Sequence, residues 1–156
     1  MGLMNKVRTF FLLDLRTMFL LIEAFIYLGW ARFLVNRPFS KVAPSLGAQM
    51  RETPKTYVPT NKKVLKKVSQ AIQIMSKYTL WESKCLVKAI AAMKMLERRK
   101  IESTLYLGTA KDETGKMIAH AWLRSGSFYI TGTEEMERFS VVGKFAKGPL
   151  MNNEGE

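Results

Sequence analysis

The spacing of apolar residues changes once along this chain, near residue 100, and that change limits the fold more than any other feature. Before it, Val64, Leu65, Val68, Ala71, Ile72 and Met75 recur at helical spacing, with Lys62, Lys63, Lys66 and Lys67 beside them. The pattern predicts an amphipathic helix with a basic outer side, N-capped by Thr60 or Asn61. A break at 79–83 precedes a second helix, from about Lys84 to Arg99, whose Leu86, Ala89, Ile90, Met93 and Leu96 form one face. After residue 100, Thr104–Ala110, Met117–Arg124 and Ser127–Thr131 read as strands, joined by turns at Lys111–Lys116 and at Ser125-Gly126. Phe139–Phe145 adds a fourth. Helices followed by an antiparallel meander make an α+β layer.

Upstream lies an apolar stretch, Phe10–Val35, interrupted by Asp14, Arg16, Glu23 and Arg32. Its longest nearly clean run, Met18–Trp30, is shorter than the roughly 20 apolar residues a membrane span needs. A helix or helical hairpin against the core or a partner fits, with membrane-surface contact through residues 10–35 as the alternative. No small-residue cleavage site follows at signal-peptide spacing. Pro38, Pro44, Gly47, Pro54 and Pro59 then mark a linker. The expected organisation is an apolar helical arm and linker over 1–59, a catalytic domain over 60–150 and a disordered tail over 151–156.

Charge is concentrated in the middle of the chain. Residues 61–100 hold eleven Lys and Arg against Glu82 and Glu97, a net of +9 out of +12. Nucleic acid, anionic lipid or an acidic peptide would each be drawn to such a surface. The sequence interleaves no aromatic platform with these cations and carries no nucleic-acid motif, so no nucleic-acid partner is expected. One Cys and one His exclude an intramolecular disulfide and the usual zinc clusters, so neither a metal nor another cofactor is expected and the reducing cytoplasm is the expected compartment.

Those two residues are the candidates for chemistry. Cys85 falls in the first turn of the second helix, two residues after Ser83, an expected N-cap. Amides and dipole there favour a thiolate. His120 sits inside the strand Met117–Arg124, where an imidazole needs a partner from another element. A helix-borne thiol and a strand-borne imidazole fill the two roles of a thiol hydrolase or acyltransferase. Singly, each reads as well as a core residue; a basic nucleic-acid or membrane-binding module without chemistry is the reading from another class.

Four pieces together resemble one known family: Trp81-Glu-Ser-Lys-Cys85-Leu, a helix ending in Arg98-Arg-Lys-Ile, Leu107-Gly, and Ala119-His-Ala-Trp122. They are similar to the leader peptidases of lasso-peptide biosynthesis, over roughly residues 62–145. The resemblance implies a transglutaminase-like, papain-related fold with Cys85 as nucleophile and His120 as general base and acid. It implies an oxyanion site at the Cys85 backbone N–H, with the indole N–H of Trp81 as a further candidate donor. The family often supplies an Asp on the strand after the His, and this chain has none there. Thr131, Thr133, Glu134 or a backbone carbonyl is left to orient the imidazole, whereas Asp112 reads as a turn residue. An acyltransferase or deamidase of the same fold would use the same pair.

The resemblance also implies partners: a precursor leader peptide, a separate leader-recognition protein and a lasso cyclase. The expected location is the cytoplasm, from the single Cys, with the inner face of the membrane as a peripheral site for the apolar arm. The basic surface of 61–100 and the apolar arm are the expected docking surfaces.

Overall fold

The structure, a computed structural model, describes residues 2–149 except 13, 80–83 and 135. The apolar arm forms two helices, α1 (Leu3–Phe11) and α2 (Leu15–Val35). The Asp14 carboxylate caps α2 by accepting from the Thr17 amide at 3.3 Å. Pro38 follows where the chain must turn, leading into a short α3 (Phe39–Val42) and a 3₁₀ turn over Ala43–Leu46.

Two helices match the periodic stretches: α4 (Lys62–Ser76) and α5 (Cys85–Arg98). Asn61 precedes α4 but its side chain makes no capping bond, because a 3₁₀ turn at Pro59–Asn61 feeds directly into the helix. Ser83 lies outside the described residues, and Lys84 in extended conformation occupies the N-cap of α5. α5 buries more than the one face its spacing suggested. Val87, Ala91, Ala92 and Met95 are as buried as Ala89, Ile90, Met93 and Leu96, because α2 and α4 pack on one side of α5 and the sheet on the other.

The sheet has five strands in the order β1-β5-β2-β3-β4: β1 (Ala48–Gln49), β2 (Ser103–Lys111), β3 (Met117–Ser125), β4 (Phe128–Thr131) and β5 (Ser140–Lys147). The meander is β2-β3-β4. β5 returns to the far side of β2, and the presumed linker contributes β1 beyond it. Asp112 organises the β2–β3 turn as expected, accepting from the Thr114 amide and hydroxyl and from the Lys116 amide.

Cross-strand register defines two faces. Leu105, Leu123 and Phe145 are paired neighbours that pack with the helices in one core, together with Leu21, Ala24, Leu28 and Ala31 of α2. Tyr106, Trp122 and Arg124 alternate onto the opposite face. That face is covered by the segment 51–58. Arg124, fully buried, donates to the Thr53 carbonyl at 2.8 Å, the Pro54 carbonyl at 3.3 Å, the Gly126 carbonyl at 2.7 Å and the Tyr106 hydroxyl at 2.9 Å.

Candidate active site

Cys85 is the first residue of α5, and the first α-helical bond, Lys88 amide to Lys84 carbonyl at 3.0 Å, closes directly over it. The first amides of a helix have no intrahelical acceptor, so they converge on the space beside the thiol. The thiol is free and half-buried, its side chain resting on the edge of the helical core.

α5 packs on the sheet against β2 and β3, the strand that carries His120. Near the end of the helix, Glu97 is bridged at 3.3 Å to Lys147, whose backbone pairs with Ser103. Farther along β2, Gly108 pairs with His120.

His120 shares a face with Trp122 and is stacked on it at 5.7 Å, with Phe139 on another side at 5.0 Å; Tyr106 stacks on Trp122 at 5.6 Å. Gly108 makes this row of rings fit. A Cβ at Gly108 would stand 2.8 Å from the Trp122 ring and 2.9 Å from the Phe139 Cβ. Cys85 packs with the helix-side core, the imidazole lies on the other face, and no hydrogen bond joins the two among the described residues.

The imidazole has one defined partner, the Gly132 carbonyl, 2.8 Å from Nε2. A carbonyl only accepts, so in neutral His120 the proton sits on Nε2 and the lone pair on Nδ1. Of the side chains expected to orient the ring, none does so. Thr131 opposes Leu123 on the helix side, buried, with a hydroxyl that has no hydrogen-bond partner among the described residues. Thr133 and Glu134 are exposed. Trp81 lies outside the described residues. Gly132 is at φ +73°, which opens the left-handed conformation that brings its carbonyl to the imidazole. Phe139 and Arg124 gave no sequence signal of a role here, since neither falls in a motif.

Beneath the ring stack, burial and the Glu52 carboxylate, 2.6 Å away, push the Tyr106 phenol up to about 12. The same hydrogen bond, helped by Lys144, holds Glu52 below its ordinary value against the opposing effect of burial. Among the described residues no three His, Cys, Asp or Glu side chains gather as a metal site.

This arrangement of helix-borne thiol, strand-borne imidazole and antiparallel sheet can be set beside known proteins. The family model for the transglutaminase-like superfamily matches residues 26–144, about three quarters of the chain. The chain belongs to the transglutaminase-like superfamily. The matched span starts within α2 and ends in β5, so the superfamily unit takes in the second half of the arm. No curated protein and no solved structure matches the chain. The transglutaminase-like fold is of the kind used by cysteine peptidases and acyltransferases.

Proposed function

We propose that this transglutaminase-like protein is a cysteine peptidase that removes the leader from a lasso-peptide precursor, with Cys85 as nucleophile and His120 as general base and acid. What supports the reading is the position of the only Cys at the start of α5, a helix packed against β3, the strand that carries the only His, with Nδ1 as the basic nitrogen of that His. The motifs around Cys85 and His120 supply the substrate class.

In this mechanism the Cys85 thiol gives its proton to Nδ1 of His120, and the thiolate attacks the carbonyl carbon between leader and core. The oxyanion accepts from the Cys85 backbone N–H at the start of α5. Collapse breaks the C–N bond, and the imidazolium protonates the departing amine of the core peptide. Water, deprotonated by Nδ1, then releases the leader from its thioester. The Gly132 carbonyl holds Nε2–H throughout, the part that an Asp side chain often plays in the resembling family. The mechanism requires Sγ to come within hydrogen-bond reach of Nδ1 in the substrate complex, and with the thiol on the helix side and the ring on the other face this is a rearrangement and not only the tightening of a contact. A separate recognition protein delivers the leader, and a cyclase takes the core, in the cytoplasm.

Mass spectrometry of a precursor incubated with its recognition protein tests this. Leader and core fragments are expected from the wild type, none from Cys85→Ala, and at least about a hundredfold slower release from His120→Ala. A product carrying an added amine, or a deamidated precursor of intact length, would assign the same acyl-enzyme to transfer or deamidation. Equal behaviour of wild type and Cys85→Ala would end the enzymatic reading.

A further inference from the structure

α2 is buried along one side and bare along the other. Leu21, Ala24, Leu28 and Ala31 are at most 5% exposed in the core, whereas Leu15, Phe19, Ile22, Ile26 and Phe33 are 43–69% exposed. At 100° per residue these five, with Trp30, fall within an arc of about 80° and form a stripe about 27 Å long. An unbroken exposed stripe of this size marks an interaction surface.

Its border is cationic. The Arg37 guanidinium lies 5.0 Å over the Phe33 ring, and the Lys94 ammonium 5.2 Å over Trp30. Arg16 and Lys67 flank Phe19 and Leu20 around a cavity of about 350 Å³, and Arg98 stands beside Ile22 and Ile26. Residues 1–50 carry six Lys and Arg but only Asp14 and Glu23. Both acids are engaged, Asp14 as the helix cap and Glu23 between Arg98 and Arg99 at 3.1 and 2.7 Å. Apolar residues at the centre with cations reaching over their edges complement one particular environment, acyl chains beneath anionic headgroups.

We infer that the exposed face of α2 rests on an anionic phospholipid bilayer, with the helix axis in the plane of the interface. α2 has the length and mean hydropathy, 1.8, to cross a membrane, but its other side is fixed in the core and Glu23 is held by two arginines, so it lies on the surface. A second copy is a poor occupant, because a symmetric pairing would set each cationic border against its like.

Co-sedimentation of the full chain with vesicles tests the inference. Vesicles of phosphatidylglycerol and phosphatidylcholine should bind it, with affinity falling as salt rises, and phosphatidylcholine alone should bind far less. Phe19→Gln with Ile26→Gln should weaken binding at least about tenfold without altering thermal unfolding, since both side chains are exposed. Cys85→Ala should bind as the wild type does, which separates this surface from the chemistry. Equal binding to neutral vesicles, or full binding by the double variant, would overturn the inference. So would a dimer in light scattering that the double variant abolishes while no vesicle binds, which would give the face to a second copy.

Discussion

Replacing Arg124 by Met would remove one of the ties between the sheet and the segment 51–58 while keeping most of the side chain's volume. Arg124 makes three donor contacts of 2.7–2.9 Å, to the carbonyls of Thr53 and Gly126 and to the Tyr106 hydroxyl, and two longer ones. Hydrogen bonds to a charged group contribute about 1.5–3 kcal/mol each, so the three short ones gross about 5–9 kcal/mol. Against this stands several kcal/mol for keeping a guanidinium out of water, which the variant no longer bears. The Thr53 carbonyl and the Tyr106 hydroxyl remain buried and lose their donor at about 1–3 kcal/mol each, which sets the net loss at about 2–6 kcal/mol. Urea unfolding followed by circular dichroism should show that loss, with amide exchange at 51–58 rising first. Tyr106→Phe, which removes a single member of the network, should cost only about 1 kcal/mol. A change below about 1 kcal/mol for Arg124→Met would refute the reasoning and mean that packing and the Thr53–Thr104 and Glu52–Tyr106 hydrogen bonds hold the segment without it.

Three further outcomes follow from the charged and backbone details. Burial opposes ionisation of Glu23, but Arg99 and Arg98 outweigh it and hold the carboxyl below its usual 4.5. That stabilisation is present above pH 4.5 and is lost as pH falls through the lowered value, so Glu23→Gln should cost about 1–2 kcal/mol at neutral pH and progressively less in acid, read by thermal unfolding. For Tyr106 the sign reverses: the folded phenol stays neutral to about 12, so its contribution persists to pH 10 and disappears between pH 10 and 12, a decline that Tyr106→Phe should lack. Gly132→Ala must accept φ +73° and a Cβ 2.8 Å from that of Trp122, costing at least about 1–2 kcal/mol; ¹⁵N NMR of the sole imidazole should report Nε2–H in the wild type and a shifted pattern in the variant.

What the sequence made legible was local. Apolar spacing predicted α4, α5 and the three strands of the meander to within one or two residues, and Cys85 at the head of a helix followed from the same spacing. What it concealed depends on residues far apart in the chain. Val87 and Met95 read as the outer side of α5 until α2 packs on it, and periodicity cannot announce which neighbours a helix will acquire. β5 was visible as a strand, but nothing local says that it crosses to β2. An unspecified backbone carbonyl was one of several candidates to orient His120; that it is the carbonyl of Gly132 requires knowing that β4 ends where it does, leaving a left-handed glycine beside the ring. Arg124 is a cation in an apolar strand, and its burial is explained by acceptors that the strand itself does not announce, the carbonyls of Thr53, Pro54 and Gly126 and the Tyr106 hydroxyl.

The Glu23 fork reaches further than the helix that carries it. α5 is gripped by α2 through Arg98 and Arg99 at its end and offers Cys85 at its start, so the thiol is mounted on a rod whose far end belongs to the N-terminal arm. Shortening the chain to begin at residue 60 would free two arginines from their only shared carboxylate among the described residues and uncover the flank of α5 now sealed by Leu21, Ala24, Leu28 and Ala31. The arm is thus not a handle to be trimmed: without it, the segment bearing the thiol loses both its anchor and its shelter from water.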